Sequence, residues 1–286
     1  MKNENAAKYK KLLFSSRWSR LWKRLLTAKL LFQCPYTGIR MNNHEDPALK
    51  IMHEPPRPPC QVHTPGHQDS STNLQRPHPF LWVTWLSKLM AGERQCQWAS
   101  WFRCHYEWNK VPSGCDLARW TADHAELVRT RRATLQAQGF TVYTEEQNSF
   151  TLMGTTGIEV SGKPDIVAIQ GTEAYVEDCK TGTPRHSDHL QVLVYMLSLP
   201  HVESRWKGRR LKGRIVYRNT VVDVPSSRMD DHLRELFRKT VLTIGGPEPA
   251  KKVPSWGECR YCDISQADCP QRILVRPGTS SSHGLF

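Results

Sequence analysis

The sequence has no long apolar run and no mark of secretion. No stretch of about 18 consecutive apolar residues is present, so a membrane span is not expected. No unbroken apolar segment of the secretory type precedes the cysteines. The nine cysteines are odd in number and unevenly spread, which disfavours a disulfide framework and favours metal or cluster ligation in a reducing compartment. We therefore expect a cytoplasmic protein.

Acidic side chains are nearly absent from the first 40 residues, where ten Lys and Arg accompany the single acid Glu4. This segment holds +9 of the formal net charge of +13, so the rest of the chain is close to neutral. The Trp and Leu spacing from Trp18 to Leu26 gives residues 1–40 the pattern of a basic amphipathic helix. We interpret them as a weakly ordered extension, a membrane-surface or nucleic-acid-binding arm, or an organellar transit peptide. Residues 41–78 are poor in aliphatic side chains, which predicts a disordered linker.

Residues 79–286 have the pattern of one folded domain. Helical periodicity and short β-rich runs follow one another as helix, strands, helix, strands, helix. This order predicts an α/β fold with a central mixed sheet flanked by helices. "DIVAIQ" and "AYVEDCK" predict a hairpin across Gly171 and Thr172. "FTVYTEEQNSFTLM" alternates like one strand, and "SDHLQVLVYMLSL" predicts a helix that stops at Pro200.

Charged residues lie inside the predicted hairpin. Asp165 begins its first strand, and Asp178 and Lys180 lie two apart in the second, on one face. Glu177 is expected to face the other side. If the strands pair, two carboxylates and an ammonium meet. Carboxylates are ligands for Mg²⁺ or Mn²⁺, which activate water against a phosphodiester, and a lysine can stabilise the developing negative charge. The alternative is a strand end with solvated charges.

Further motifs flank the hairpin in a fixed order. "TADHAELV" precedes "GKPD", which is followed by "YVEDCKTG" and then "QVLVY". Over roughly residues 82–270 this order resembles the PD-(D/E)XK nuclease superfamily and, within it, the RecB-like branch. The resemblance implies a restriction-endonuclease-like core. It also implies roles for individual residues: His124, Asp165, Asp178 and the Cys179 carbonyl as metal ligands, Lys180 as the catalytic lysine, and Gln191 and Tyr195 as contacts to the scissile phosphate or DNA strand.

Three cysteines near the C-terminus have the spacing C-x2-C-x6-C, at Cys259, Cys262 and Cys269. Two thiolates two residues apart can hold one metal centre while the third returns by a loop, and a fourth ligand must come from elsewhere. This set suits an iron–sulfur cluster or a zinc ion, and the spacing leaves both open.

A second resemblance implies the fourth ligand. "LSKLMAGERQCQWASWF" is similar to the helix that carries the lone cluster cysteine in iron–sulfur members of the RecB-like branch, which include CRISPR-associated adaptation nucleases and AddB-type nucleases. It implies Cys96 as the fourth ligand of a [4Fe-4S] cluster, with Gln97 in place of the usual proline. Cys104 and then Cys115 are the alternatives. Such a centre would tie the N-terminal helices to the C-terminal tail.

The stretch "RWKGRRLKGRIVYR" concentrates positive charge in an otherwise nearly neutral body. Backbone phosphates are natural partners of such a segment, and Trp206 within it could stack an unpaired base. A solvated loop before a strand is the alternative. The predicted nucleic-acid contacts are Arg205, Lys207, Arg209, Arg210 and Lys212.

These patterns predict a metal-dependent deoxyribonuclease with a structural iron–sulfur cluster, acting as an exonuclease on single-stranded or frayed DNA ends. One alternative is a catalytically idle PD-(D/E)XK subunit that binds DNA or builds a complex. The other is a zinc-stapled nucleic-acid-binding protein. The sequence contains no helicase motif, so a helicase or DNA-integration partner would be a separate protein. CRISPR adaptation and DNA repair are both compatible pathways.

Overall fold

A computed structural model describes residues 73–112, 117–202 and 204–276. The predicted basic extension, residues 1–40, and residues 41–72 of the predicted linker lie outside the described residues. None of the helices in the described ranges combines the length and apolarity needed to cross a bilayer.

The described residues alternate between helices and strands. The helices are α1 (Val83–Met90), α2 (Gln97–His105), α3 (Leu117–Ala137), α4 (His186–Val202), α5 (Asp231–Gly245) and α6 (Trp256–Cys259). The strands are β1 (Leu74–Gln75), β2 (Phe80–Trp82), β3 (Tyr106–Glu107), β4 (Thr141–Thr144), β5 (Phe150–Met153), β6 (Glu159–Gly162), β7 (Ile166–Gln170), β8 (Glu173–Lys180), β9 (Arg210–Tyr217) and β10 (Val221–Val224).

Strand β1 corrects the predicted boundary between linker and domain. It lies within residues 41–78, yet it pairs antiparallel with β3. The main-chain N–H of Arg76 donates to the His105 carbonyl at 2.8 Å, and the Arg76 guanidinium forms an ion pair with Glu107 at 3.3 Å. These long-range contacts order a segment whose composition alone predicts a linker. The folded domain therefore begins before residue 79.

Five strands form the central sheet in the order β10-β9-β8-β7-β4. The predicted hairpin is present, since β7 pairs antiparallel with β8 and the turn between them holds Gly171 at a φ of 58°, a conformation that suits glycine. Strand β8 pairs parallel with β9, which requires a crossover connection. Helix α4 lies within that connection. The sheet is therefore mixed, and the predicted α/β fold class is confirmed.

A second sheet has the order β2-β6-β5. The stretch "FTVYTEEQNSFTLM" is two strands and not one: β4 joins the central sheet and β5 joins the second. A 3₁₀ turn at Glu145–Asn148 separates them, and it is capped by Thr144, whose N–H donates to Gln147 Oε1 at 3.0 Å. The polar run in the middle of the stretch forms this cap, so the chain changes sheets there.

Helices cover both faces of the central sheet. On one face, Val167 and Val176 pack in the same core as Val192 of α4. On the other, Ile166 packs with Leu135 of α3. All five side chains are fully buried, and burial of an aliphatic side chain contributes roughly 1.5–3 kcal/mol. Successive side chains of β7 thus pack in two hydrophobic cores, one on each face of the sheet. The end of the sheet lies between helices α3 and α4.

The N-terminal helices pack onto the later part of the chain. Helix α1 contacts α4 and α5, and α2 contacts α5. Trp101 Nε1 donates to the Gly246 carbonyl at 3.0 Å. Helix α4 continues through Pro200 to Val202, so the predicted stop at Pro200 is wrong. A proline in the last turn removes one hydrogen bond, and the neighbouring Leu199, 1% exposed, packs in the core and keeps the turn in place.

Candidate functional site

Asp165 and Asp178 meet at one end of the β7–β8 hairpin. Ile166 is paired with Glu177, so Asp165 and Asp178, the next residues along this antiparallel ladder, face each other on the same side. The main-chain N–H of Cys179 donates to Asp165 Oδ2 at 2.8 Å. Both carboxylates are at 0% exposure. Two neighbouring buried carboxylates repel each other, and a bound cation would relieve that repulsion.

The glycine of the G-x-P-D motif has a packing reason. A Cβ at Gly162 would lie 2.5 Å from the Phe150 ring and 2.8 Å from the Tyr195 ring. A larger residue would displace Tyr195, whose hydroxyl donates to the Lys163 carbonyl at 3.3 Å. Glycine therefore lets the chain that carries Asp165 pass directly against helix α4.

A hydrogen-bond chain links the lysine, an aspartate and α4. Gln191 Oε1 accepts from Lys180 Nζ at 3.2 Å, and Gln191 Nε2 donates to Asp178 Oδ1 and to the Tyr195 hydroxyl, both at 2.9 Å. Lys180 also forms an ion pair with Asp178. Gln191 and Tyr195 share a helix face because they are four residues apart. The structure thus brings these predicted site residues together, each no more than 6% exposed.

His124 of α3 lies on the other side of Asp165. Its Nε2 is 3.4 Å from Asp165 Oδ1, and its ring stacks on Trp120 with centroids 5.2 Å apart. His124, Glu145 and Asp165 each offer a ligand atom, and these atoms lie within 4.8 Å of one another. The sequence motifs do not indicate Glu145 as a candidate ligand. Its position directly after strand β4 is the one available signal, and the strand register that brings it to Asp165 cannot be read from the sequence.

The residues around Asp165 fit a divalent cation. His124 is 8% exposed, and its Nδ1 is buried without a hydrogen-bond partner among the described residues. Its Nε2 is the nitrogen that faces Asp165, and in the tautomer with the proton on Nδ1 this nitrogen can offer a lone pair to a cation. Carboxylate oxygens with an imidazole nitrogen are a donor set that Mn²⁺ or Mg²⁺ accepts.

The residues on either side of Asp178 face away from the site. Glu177 is fully buried and accepts from Arg131 Nε and from the Arg131 NH2 group, both at 2.7 Å. The Cys179 side chain packs in the core with Val128, and burial raises the pKa of its thiol well above the usual range. The Cys179 side chain is therefore structural, and the ligand role of its carbonyl stays a prediction.

Four cysteines from the two ends of the domain line one pocket. Cys96 directly precedes α2, Cys259 ends α6, and Cys262 and Cys269 follow it. All four are free thiols. Burial raises the pKa of the Cys269 thiol, and the nearby Lys252 partly offsets this. The structure thus places Cys96 at the same pocket as the C-terminal motif.

Of the alternative fourth ligands, Cys104 is among the described residues and does not line this pocket. Cys104 is fully buried away from it, and burial raises the pKa of its thiol to about 12. Cys115 lies outside the described residues.

A buried ion pair joins α2 to the C-terminal segment beside the pocket. Arg103 donates from Nε and from its NH2 group to Asp263 Oδ1 at 2.9 and 2.6 Å, and from the same NH2 group to Cys262 Sγ at 3.5 Å. Burial lowers the pKa of Arg103, but Asp263 and Cys262 more than offset it, so the pKa is raised. Arg103 thus ties α2 to the C-terminal segment at the edge of the cysteine pocket.

Of the predicted nucleic-acid contacts, Arg210 and Lys212 lie toward the end of the central sheet opposite Lys180. Lys212 is paired in register with Tyr175, five residues before Lys180 on β8, or about 16 Å along the strand. Arg210 and Lys212 form ion pairs with Glu173 at 3.1 and 2.7 Å. The structure does not bring these residues to the carboxylate site.

Other members of the stretch are also engaged within the protein. Arg205 lies over the Trp206 ring at 4.5 Å, and Arg209 donates to a main-chain carbonyl in the β7–β8 turn at 2.6 Å. Trp206 is 1% exposed and packs edge-on against Tyr143. The prediction that Trp206 stacks on a base is therefore wrong, because the ring belongs to the core. Lys207 is exposed.

The fold and the site define a class of protein: an α/β domain with buried carboxylates, a lysine and a histidine at one end of a mixed sheet. The model of the PD-(D/E)XK nuclease superfamily matches residues 91–269. The chain belongs to this superfamily. It is also similar to the crystal structure of SSO0001, with 15% identity and a TM-score of 0.36 over 69% of this chain and 89% of that chain. None of the curated proteins matches the chain significantly.

Proposed function

We propose that the protein is a metal-dependent deoxyribonuclease that hydrolyses phosphodiester bonds, working as an exonuclease on single-stranded or frayed ends. Membership of the PD-(D/E)XK superfamily supports nuclease activity. The observation that carries the proposal is the buried network in which Gln191 joins Lys180 to Asp178 beside Asp165. A subunit that only binds DNA has no need for this network.

The cation-binding residues in this proposal are Asp165, Asp178 and His124, with the Cys179 carbonyl as a further oxygen ligand. Asp165 is oriented by the Cys179 N–H, and His124 approaches it from α3. When bound, Mg²⁺ or Mn²⁺ polarises a phosphodiester and lowers the pKa of water. The protein's part is to hold these ligands at the closed end of the sheet, where low exposure strengthens every charge interaction.

Lys180 is the residue proposed to act on the reacting phosphate. Its ammonium has three donors and no acceptor, and Asp178 and Gln191 occupy two of its directions. A further N–H can donate to a water or to a phosphate oxygen on which negative charge develops. The Tyr195 hydroxyl donates to the Lys163 carbonyl and accepts from Gln191, which fixes the orientation of the Gln191 amide. Tyr195 and Gln191 are thus positioning residues in this proposal.

The four-cysteine pocket is proposed to hold a [4Fe-4S] cluster with a structural role, ligated by Cys96, Cys259, Cys262 and Cys269. Thiolates suit both iron–sulfur clusters and zinc, and the resemblance to iron–sulfur nucleases favours the cluster. The supporting observation is that all four thiols line one pocket although Cys96 and Cys259 are far apart in the sequence.

The DNA contacts proposed away from the site are the exposed members of the basic stretch, Lys207, Arg210 and Lys212, with Arg205 and Arg209 behind them. Because Arg210 and Lys212 are already paired with Glu173, a phosphate would have to displace that carboxylate. Any helicase or DNA-integration partner would be a separate protein.

The test is cleavage of end-labelled single-stranded DNA by the full-length protein with Mg²⁺ or Mn²⁺. We expect fragments with the wild type and none with Asp165→Asn. Asp223→Asn removes a carboxylate on β10 whose side chain is 81% exposed, so it is the matched control and should cleave normally. Cleavage that survives Asp165→Asn would refute the site.

A circular single strand of the same sequence separates end-dependent from internal cleavage. An exonuclease should leave the circle intact and degrade the linear form. Degradation of both at similar rates would overturn the exonuclease part of the proposal and leave the nuclease part.

A further inference from the structure

Two adjacent glutamates at the end of β4 differ in what they contact. Glu146 is exposed, and its carboxylate accepts from Lys163 Nζ at 2.9 Å. Glu145 is half-buried, and within the described ranges its carboxylate has neither a hydrogen bond nor an ion pair. Its carboxylate oxygen lies within 4.8 Å of ligand atoms of His124 and Asp165. One of the two acids is thus neutralised by a lysine, whereas the other is directed into the site.

The backbone holds Glu145 in place. Thr144 pairs with Ile166, and one residue further the Glu145 N–H donates to the Asp165 carbonyl at 3.0 Å. The φ of Glu145 is 35°, a conformation that a residue other than glycine adopts only at an energetic cost. Strands β4, β7 and β8 therefore place Glu145, Asp165 and Asp178 in a row across their ends.

The spacing suits one coordination sphere. With metal–ligand bonds of about 2.1 Å, neighbouring corners of an octahedron are about 3 Å apart and opposite corners about 4.2 Å. His124 Nε2 and Asp165 Oδ1 are 3.4 Å apart, and the three ligand atoms lie within 4.8 Å of one another. These separations are close to those between the corners of one octahedron. His124 supports this placement, since it is buried, its Nε2 faces Asp165, and its Nδ1 makes no hydrogen bond among the described residues that would hold the ring in its present orientation.

We propose that Glu145 is a direct ligand of the divalent cation, together with His124 and Asp165. The inference rests on the proposed function and adds a ligand that the motif order does not assign. It adds a ligand on the His124 side of Asp165, whereas Asp178, whose oxygens contact Lys180 and Gln191, lies on the other strand of the hairpin.

The test measures binding of Mn²⁺ alone to the full-length, chelator-treated protein, by titration calorimetry and by loss of the free-ion electron paramagnetic resonance signal. Glu145→Gln keeps the shape of the side chain and removes its charge. Loss of a ligand should weaken Mn²⁺ binding at least roughly 10-fold to 100-fold, the range seen even for residues that only orient ligands. Glu146→Gln makes the same charge change one residue away and should leave the affinity within about threefold. Asp165→Asn should abolish binding.

The outcomes distinguish a failure of the Glu145 assignment from a failure of the proposed metal site. Weakening by Glu145→Gln but not by Glu146→Gln supports the assignment. If Glu145→Gln and Glu146→Gln both bind like the wild type while Asp165→Asn does not, the Glu145 assignment is overturned and the proposed function stands. If Asp165→Asn also binds like the wild type, the proposed metal site itself fails. Glu145→Gly is the second variant, since glycine adopts a φ of 35° readily, and it should show the same loss as Glu145→Gln.

Discussion

The carboxylate site and the cysteine pocket are assembled in different ways. The carboxylate site draws on neighbouring strands and the helix that crosses between them, and its residues from Asp165 to Tyr195 are held by sheet register and are almost fully buried. The cysteine pocket joins Cys96 to a motif that begins at Cys259, and two of its four thiols are only half-buried. The first is local in sequence, and the second closes the whole domain.

Because the two sites are assembled differently, a cation at the carboxylates and a centre at the cysteines would contribute differently to the protein. The strands that carry Asp165 and Asp178 are ordered by their own ladders, so a cation there is needed for chemistry more than for folding. A centre at the cysteines closes a long loop, and loop closure removes entropy from the unfolded chain. We expect loss of the first group to end activity and loss of the second to end stability.

A contact of Glu93 links the two regions. Glu93, three residues before Cys96, accepts from the Ser187 N–H at 2.9 Å and from the Ser187 hydroxyl at 2.7 Å. Ser187 lies in the first turn of α4, which also carries Gln191. The loop between α1 and α2 therefore connects the cysteine pocket to the helix that orients Lys180.

The largest expected effect is on cleavage. Lys180→Met removes the ammonium and keeps most of the stem, so cleavage should fall roughly 100-fold to 1,000-fold, as when a group that stabilises developing charge is lost. Mn²⁺ affinity should not fall, because Lys180 competes with a cation for Asp178. Cleavage assays and Mn²⁺ titration check this. Parallel loss of metal binding and cleavage would mean that Lys180 acts only by keeping the site folded.

The next effect is on stability. Cys259→Ser should remove iron from anaerobically purified protein and lower the free energy of unfolding by an amount on the order of 4 kcal/mol, the scale for closing a loop of this length. For a domain of this size the melting temperature should fall by about 10 °C.

Cys104→Ala is the control for that prediction, because Cys104 is buried in the core away from the pocket. It should keep the iron and lose less stability. Iron analysis, absorbance near 400 nm and thermal melts measure both variants. Stoichiometric zinc in colourless wild-type protein would contradict the cluster and favour the zinc alternative.

A smaller effect tests the contact between the regions. Glu93→Ala leaves the Ser187 N–H without its carboxylate partner, which should cost about 1 kcal/mol. If α4 positions Lys180, cleavage should also fall by roughly threefold to tenfold, with iron content unchanged. Glu248→Ala, at an exposed acid, is the control. Cleavage that stays at the wild-type rate would show that the two regions are independent.

The smallest effect has the opposite sign. Glu145→Gly relieves a positive φ, so without metal the free energy of unfolding should rise by about 1 kcal/mol. The same variant should bind Mn²⁺ more weakly. Denaturant melts of the chelator-treated protein measure this change, and a loss of stability would argue that Glu145 is a structural residue.

The fold class and the main hairpin could be predicted because their signals are local. The alternation in β7 and β8 and the residues around Gly171 encode a hairpin in one short stretch. The placement of the two halves of "FTVYTEEQNSFTLM" in different sheets could not be predicted. Both halves have a strand-like pattern, and they differ only in the strand with which each one pairs. The parallel pairing of β2 with β6 is hidden for the same reason.

Within the site too, the residues that could be placed from the sequence are those with local signals. The pair Asp178 and Lys180 could be placed on one face because they lie two residues apart in a strand. Gln191 and Tyr195 required the motif order, and Glu145 required the register of a third strand. The ion pairs of Arg210 and Lys212 could not be predicted, because an excess of basic residues in a sequence does not reveal a partner such as Glu173 on the adjacent strand.

Cleavage of linear single-stranded DNA by chelator-treated wild-type protein and by Asp165→Asn, each titrated with Mn²⁺, decides whether the protein is a metal-dependent nuclease with Asp165 in its site. We expect no cleavage without the ion, cleavage by the wild type that follows Mn²⁺ occupancy, and none by Asp165→Asn at any concentration tested. Cleavage in the presence of chelator, or equal cleavage by the two proteins, would contradict this expectation.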